Sequence, residues 1–283
     1  MARVAYVTYA EDPADPDPDI DLDVAVAALR AAGLAAEAVR WDDPAVDWAA
    51  VDLALVRSPW DYVRRYSEFL GWARSVAAVT RLANPLDVIV RNTDKRYLRD
   101  LATAGVPTVP THWLDPGDPV ALDGVGWPTL VVKPAVGAGA RDTLATTDRA
   151  AATAHAEALL AGGRGVLVQP YLDAVDGEGE VAVVVLGGRP SHAVRKVPAL
   201  TEGGHGDPSR PYPLTPDLLA AVGCVLDAEP GSRALAYARV DLVRDAAGRW
   251  VLMELELTEP LLFLGYADGA PERFAAAVGA LLG

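Results

Sequence analysis

Residues 237–260 constrain the fold more than any other stretch, because they predict a hairpin with charge on one face. Two runs of alternating apolar residues, 238–243 and 249–257, flank the short Asp-Ala-Ala-Gly loop at 245–248. A glycine in such a loop supplies the positive φ that a tight hairpin needs. The sequence therefore predicts an antiparallel strand pair.

The charged side chains of this hairpin are expected to converge. Strand side chains alternate between faces, so Arg239 and Asp241 share one face of the first strand. Glu254 and Glu256 share one face of the second. Carboxylates this close repel one another, and the usual remedy is a hard cation with oxygen ligands, most often Mg²⁺. The alternative is a solvated face that the arginine balances, and the hairpin alone does not exclude it.

Length and charge bound the class of protein. A chain of 283 residues holds one large or two to three small domains. Its formal net charge of -14 argues against a nucleic-acid or anionic-membrane partner, since those need a basic surface. No apolar run is long enough to span a membrane, and the first residues favour a strand over a signal peptide. We therefore expect a cytoplasmic protein, in which the single cysteine, Cys224, is a buried apolar side chain.

Lysine is rare in this chain, and each lysine lies beside another feature that suggests a binding site. Of 25 basic residues only Lys95, Lys133 and Lys196 are lysines, each a compact ammonium on a flexible stem. Lys133 ends an apolar run and precedes a loop that contains Gly137 and Gly139. Small residues let backbone N–H groups approach a phosphate closely. The spacing matches neither the P-loop nor the dinucleotide fingerprint, so the loop alone is weak evidence.

The N-terminal region predicts a small parallel sheet, with strands at 3–9, 35–41 and 51–56 and a helix at 20–32. The third strand runs into Arg57-Ser-Pro-Trp-Asp61, at the strand end where open α/β sheets bind their ligands. The alternative is that Ser58 caps a helix with Pro59 at its first position.

Further along, Thr93 or Asp94 is expected to cap a helix with Lys95 in its first turn. A lysine there opposes the helix dipole, so a bound anion would relieve it. A strand at 165–168 leads into Gln169-Pro-Tyr-Leu172, a segment able to hold a planar base through its backbone. The alternative is an ordinary edge strand that Pro170 ends. A second hairpin is expected at 177–197 and a lid-forming loop at 200–213.

Taken in order, these features resemble the ATP-grasp superfamily. More closely, the segments RSPWDY, KPAVGAGARDT, SHAVRK and LELELTEP resemble the ATP-grasp ligases that close O-ureido-D-serine to D-cycloserine. The resemblance implies an ATP-grasp fold of the α/β (α+β) class. It places an N-terminal βαβ pre-ATP-grasp domain at 1–93, a small subdomain at 94–168 and a larger, metal-carrying subdomain at 169–283, the last two clamping ATP.

The resemblance also implies roles for individual residues. Lys95 and Lys133 would contact the ATP phosphates beside Gly137 and Gly139. The adenine hinge would be formed by Gln169, Tyr171 and Leu172, with Glu180 on the ribose. Asp241, Glu254 and Glu256 would hold two Mg²⁺ ions, which Mn²⁺ could replace. Arg239 would face the transferring phosphoryl group, with Lys196 as a second catalytic residue. Two departures are Glu256, where many members have Asn, and TEGGHGDPS at 201–209, which leaves the exact substrate open.

We therefore predict an ADP-forming, Mg²⁺-dependent ligase that activates a carboxylate as an acyl phosphate and couples it to an amine, within one molecule or between two. A small zwitterionic amino acid is the expected substrate, since a guanidinium grips a carboxylate and an acid holds an ammonium. Its expected contacts are Arg57, Ser58, Trp60, Asp61, Arg141 and Glu259. An alternative is that Arg57 and Asp61 only pair with each other. A regulatory ATP-binding module and a metal-dependent hydrolase are the rival functions, and a homodimer is left open.

Overall fold

The computed structural model describes residues 1–10, 18–196 and 209–283. Within these ranges the strands form three sheets. The loop expected to act as a lid lies outside the described residues, apart from its last few positions. Among the helices described, none is both long and apolar enough to cross a membrane.

A four-stranded parallel sheet opens the chain. Its elements are β1 (Arg3–Thr8), α1 (Leu22–Ala31), β2 (Ala35–Arg40), β3 (Leu53–Ser58), α2 (Tyr66–Ala77) and β4 (Arg81–Ala83). The strand order is β2-β1-β3-β4, and every pairing is parallel. The predicted parallel sheet is confirmed, and all six side chains of β3 are buried, as expected of a strand covered on both faces.

The helix expected to begin after Thr93 or Asp94 begins later, as α4 (Tyr97–Thr103), and a short helix, α3 (Leu86–Asn92), precedes it. The Thr93 hydroxyl donates to the Ile89 carbonyl at 2.9 Å, so it closes α3 rather than capping a new helix. The Asp94 carboxylate accepts from the Arg96 backbone N–H at 3.0 Å, which fixes a local turn. Lys95 therefore lies in the turn between the helices, and the dipole argument for it was wrong.

The second sheet is antiparallel and follows α4. It contains β5 (His112–Leu114), β6 (Leu130–Pro134), β7 (Leu144–Thr146) and β8 (Val166–Pro170), with α5 (Arg149–Ala161) between the last two. The order is β5-β8-β6-β7. Because β8 is paired on both sides, the alternative of an edge strand ended by Pro170 is wrong.

The third sheet has five strands and contains both predicted hairpins. The remaining elements are α6 (Ala174–Gly177), β9 (Glu180–Leu186), β10 (Arg189–Lys196), β11 (Arg210–Tyr212), α7 (Pro216–Ala228), β12 (Tyr237–Arg244), β13 (Trp250–Glu256) and α8 (Ala270–Gly279). The order is β11-β10-β9-β12-β13. Gly248 has φ of 73°, as the turn between β12 and β13 required. Cys224 is exposed on α7, so its expected burial was wrong.

The third sheet is buried on both faces, and the alternation of β9 divides its valines between two cores. Val184 faces the first sheet and α8, where it packs in one cluster with Tyr6 and Phe274. Val183 faces the other way, toward Leu226 of α7. The first and third sheets thus share a hydrophobic core, which fixes the end of β3 against the β12–β13 hairpin. The division of the chain into an N-terminal domain and two subdomains at residues 93 and 168 stays a prediction.

Candidate active site

A cavity of about 370 Å³ lies between the second and third sheets. Most residues predicted for the site line it: Trp60, Lys95, Lys133, Gly137, Gly139, Arg141, Gln169, Tyr171, Leu172, Glu180, Lys196, Arg239, Glu254, Glu256 and Glu259. The predicted residues that do not line it are Arg57, Ser58, Asp61 and Asp241. Asp241 is buried directly behind the wall, bonded to two lining residues.

The β12–β13 hairpin brings its charges together as its alternation predicted. Arg239 pairs in register with Glu256, and Asp241 pairs with Glu254. The Arg239 guanidinium grips Asp241 with two hydrogen bonds, from Nε at 2.9 Å and from Nη2 at 2.8 Å, and Nη2 also donates to Glu256. A bidentate, buried pair of this kind holds both side chains in one orientation.

The lysines complete this network. Lys196 Nζ lies 2.6 Å from Asp241 Oδ2 and also pairs with Glu180. Lys95 Nζ lies 2.9 Å from Glu254 Oε1. Carboxylate oxygens are the ligands that Mg²⁺ prefers. Yet among the described residues no three His, Cys, Asp or Glu side chains are gathered to hold a metal ion. The donors suit the ion in type, but protein cations neutralise them in this arrangement.

The cations divide the carboxylates by acidity. Burial opposes ionisation of Asp241, but Arg239 and Lys196 outweigh it and hold the pKa of Asp241 below its usual range. Burial raises the pKa of Glu256 to about 8 despite Arg239, because Asp241 and Glu254 repel a further negative charge. Burial likewise disfavours ionised Glu254, yet Lys95 and Lys133 bring its pKa down. Glu256 is thus the weakest acid of the hairpin.

Lys133 differs from the other two lysines. Among the described residues its ammonium has no hydrogen bond and no ion pair within 4.0 Å. Burial lowers its pKa and the nearby Lys95 and Lys196 add to the fall, while Glu254 opposes it. Lys133 is half-buried, and a partly desolvated ammonium without a partner is stabilised by an incoming anion.

The end of the cavity near β8 is apolar. It is lined by Val109, Val131, Leu172, Val175 and Met253. The Gln169 amide donates to Thr111 Oγ1 at 2.9 Å, and the Tyr171 hydroxyl donates to Asp176 at 2.5 Å, so both polar groups are bonded within the protein. Of these residues only Leu172 was predicted for the site, as part of the adenine hinge. The three valines and Met253 were missed, because apolar residues on loops and strands look like core.

The opposite end is formed by Trp60, Tyr62, Glu259, Leu261 and Phe263. Tyr62 was missed by sequence reasoning, although it completes the RSPWDY segment. Burial raises the pKa of Glu259, while hydrogen bonding with Tyr62 and the charge of Lys95 oppose that rise. Phe263 has φ of 48°, and its ring lies 5.8 Å from the Arg239 guanidinium carbon.

Three residues expected to contact substrate lie elsewhere. Arg57 is 2% exposed, stacks 4.3 Å over the Tyr237 ring and donates to the Pro260 carbonyl. Ser58 ends β3 and donates to Thr8 Oγ1 at 3.0 Å, so it does not cap a helix. Asp61 accepts from Trp41 Nε1 at 2.7 Å and does not pair with Arg57. Their positions argue against direct contact with a ligand in this cavity.

Comparison with known proteins agrees with this architecture. Residues 4–84 match the family described as the N-terminal domain of D-cycloserine synthetase DcsG. The cycloserine biosynthesis protein DcsG of Streptomyces lavendulae is 35% identical over 284 aligned positions, which cover 89% of this chain and 90% of that protein.

Solved structures support the same family assignment. The crystal structure of D-cycloserine synthetase DcsG superposes with a TM-score of 0.91 at 34% identity, over 100% of both chains. The ATP-grasp ligase PsnB, solved with a minimal precursor, Mg and ADP, superposes with a TM-score of 0.63 at 17% identity, over 98% of this chain and 97% of that one. The fold is therefore ATP-grasp. By its 35% identity to DcsG across most of both proteins, this chain belongs to the D-cycloserine synthetase family of ATP-grasp proteins.

Proposed function

We propose that this protein is an ATP- and Mg²⁺-dependent, ADP-forming ligase for a small amino-acid-like substrate. The carboxylate would take the γ-phosphoryl group of ATP to give an acyl phosphate, and an amine-type nitrogen would then displace phosphate. The observation that carries the proposal is one cavity with an apolar end, a glycine-rich wall and a half-buried ammonium on Lys133 that has no partner among the described residues.

The apolar end suits a planar base, and the cationic middle suits a triphosphate. Lys133 would bind phosphate oxygens, joined by Lys95 and the backbone at Gly137 and Gly139. Arg239 presents five N–H donors, of which four are bonded to Asp241, Glu256 and the Leu261 carbonyl. The remaining Nη1 donor would serve a phosphoryl oxygen, where charge spreads during transfer.

Asp241, Glu254 and Glu256 would hold the Mg²⁺, which when bound neutralises phosphate charge and orients the γ-phosphoryl group. For the carboxylates to do so, Lys95 and Lys196 must exchange their present partners for phosphate oxygens. Two ions, Mn²⁺ in place of Mg²⁺, a cytoplasmic location and the absence of nucleic-acid or membrane partners complete the proposal. Arg141 lines the cavity and is proposed to contact the substrate carboxylate.

The test is an ADP-release screen across D- and L-amino acids, including O-ureido-D-serine, with product masses measured. Hydroxylamine added to the assay would trap an acyl phosphate as a hydroxamate. We expect ADP and hydroxamate to appear with the same substrate. Formation of AMP, or ATP binding without turnover of any carboxylate, would refute the ligase and favour a regulatory ATP-binding module. Turnover that needs the metal but no ATP would favour a hydrolase.

A further inference from the structure

Residues 257–262 follow β13 and belong to no helix or strand, and Glu259 and Leu261 among them line the cavity. Each of their six backbone carbonyls lies within hydrogen-bond distance of a side-chain donor from another part of the chain, although the Tyr237 proton at residue 258 is shared with the carbonyls of residues 56 and 83. The donors, in order from residue 257 to residue 262, are Asn84, Tyr237, Trp60, Arg57, Arg239 and His192. A non-regular segment held at every carbonyl has a fixed path, so the side chains it presents to the cavity are fixed in place.

The RSPWDY segment makes three of the contacts to Glu259 and Pro260. Arg57 donates to the Pro260 carbonyl, and Trp60 Nε1 donates to the Glu259 carbonyl at 3.0 Å. The Tyr62 hydroxyl and the Glu259 carboxylate both line the cavity and lie close enough for Tyr62 to oppose the rise in the pKa of Glu259. Trp60 and Tyr62 thus hold Glu259 by its backbone and by its side chain, while Arg57 fixes the next residue.

Glu259 also differs from the other carboxylates at this cavity in its charge environment. Glu180, Asp241, Glu254 and Glu256 each form an ion pair with a lysine or arginine. Among the described residues, no lysine or arginine nitrogen lies within 4.0 Å of the Glu259 carboxylate, and the hydroxyl that acts on it, Tyr62, is neutral. A half-buried carboxylate of this kind is an acceptor for a cationic group that the protein itself does not supply.

We propose that Glu259 binds the α-ammonium group of an amino acid substrate, and that Tyr62 is the residue that positions it. The inference rests on the proposed ligase function. The ammonium suits Glu259 because it offers several N–H donors to a carboxylate that already keeps one acceptor for Tyr62. A metal ion is the other candidate cation, but Glu259 lies at the Trp60 end of the cavity, beyond the hairpin carboxylates.

The test compares O-ureido-D-serine with 3-(ureidooxy)propanoate, which lacks only the α-amino group. We expect Glu259→Gln to raise KM for O-ureido-D-serine by about tenfold or more, since a charge-assisted hydrogen bond is lost. Tyr62→Phe should raise the same KM by about threefold to tenfold, because the carboxylate loses its fixed orientation. KM for ATP should stay within about twofold, and KM for 3-(ureidooxy)propanoate should not change in either variant.

Tyr66→Phe is the matched control, since it removes a neighbouring hydroxyl that bonds with Thr93 rather than Glu259. Binding of Mn²⁺ with a non-hydrolysable ATP analogue, followed by electron paramagnetic resonance, is the readout that does not depend on turnover. Unaltered Mn²⁺ binding together with a raised amino acid KM supports the proposal. Weaker Mn²⁺ binding in Glu259→Gln, or equal KM increases for both carboxylates, would overturn it. If the wild-type protein turns over no carboxylate, the ligase function itself fails.

Discussion

Lys95 occupies a position that a metal ion would compete for, which makes Lys95→Met the most informative single change. Lys95 as a whole residue is 7% exposed. Its ammonium lies 2.9 Å from Glu254 Oε1 and donates to the Gly137 carbonyl. While this pair exists, Glu254 has a satisfied charge and little need of a cation. Methionine keeps the length of the stem and removes the charge.

The Lys95–Glu254 pair gives the direction of the change in Mn²⁺ affinity, and the usual strength of a charged hydrogen bond gives its size. A hydrogen bond to a charged group contributes about 1.5–3 kcal/mol, or about tenfold to 100-fold in an equilibrium constant. Lys95→Met should therefore bind Mn²⁺ without nucleotide about tenfold or more tightly than the wild type. With nucleotide the sign reverses, because Lys95 is then expected to bind phosphate. Affinity for a non-hydrolysable ATP analogue should fall by about tenfold.

Electron paramagnetic resonance of free Mn²⁺ and isothermal titration calorimetry of the nucleotide measure the two effects. Arg81→Met, which removes an exposed positive charge on β4, controls for the change in net charge. The two opposite shifts together identify Lys95 as a cation that changes partners. Weaker or unchanged Mn²⁺ binding without nucleotide would refute the reasoning, since it would mean that Lys95 does not compete for Glu254.

Three further outcomes are expected. Glu254→Gln should abolish most ligase activity and lower the thermal unfolding midpoint, because it leaves the buried Lys95 ammonium without its carboxylate partner; unchanged turnover would exclude a metal role. Lys133→Ala should raise the ATP dissociation constant by about tenfold in calorimetry, and unaltered affinity would make Lys133 structural. Tyr237→Phe should lower the free energy of unfolding by about 1–3 kcal/mol in urea titrations, because its buried hydroxyl proton is shared among the carbonyls at residues 56, 83 and 258; a loss below about 0.5 kcal/mol would contradict that role.

Sequence reasoning succeeded where local periodicity decides the structure. The alternation around Asp241 and Glu254 was enough to predict the hairpin and the convergence of its charges. It did not predict the irregularity between Asp241 and Leu242, which shifts the pairing register by one residue and sets Asp241 opposite Glu254. It failed where a side chain has two local options: Thr93 and Asp94 have the chemistry of helix N-caps, yet Thr93 closes the preceding helix and Asp94 fixes a turn. Cys224 was misplaced because an apolar helix does not by itself reveal which face packs.

Arg57 shows the limit most clearly. Its guanidinium follows a strand end, which favours a ligand contact, but its partner Pro260 lies 203 positions along the chain. Only the packing of the first sheet on the third brings the two together, and no local pattern encodes that approach. Tyr62 escaped notice for the same reason, because its proximity to Glu259 depends on the assembled cavity.

The way residues 257–262 are held has a consequence for redesign of the acceptor end. The donors bind carbonyl oxygens, which every amino acid has, so new side chains at 259 or 261 would leave the path of the backbone intact. Inserting or deleting one residue would instead move every downstream carbonyl away from its donor at once. New substrate preferences in this family should therefore be sought by point substitution at these two positions, with the length of the segment left unchanged.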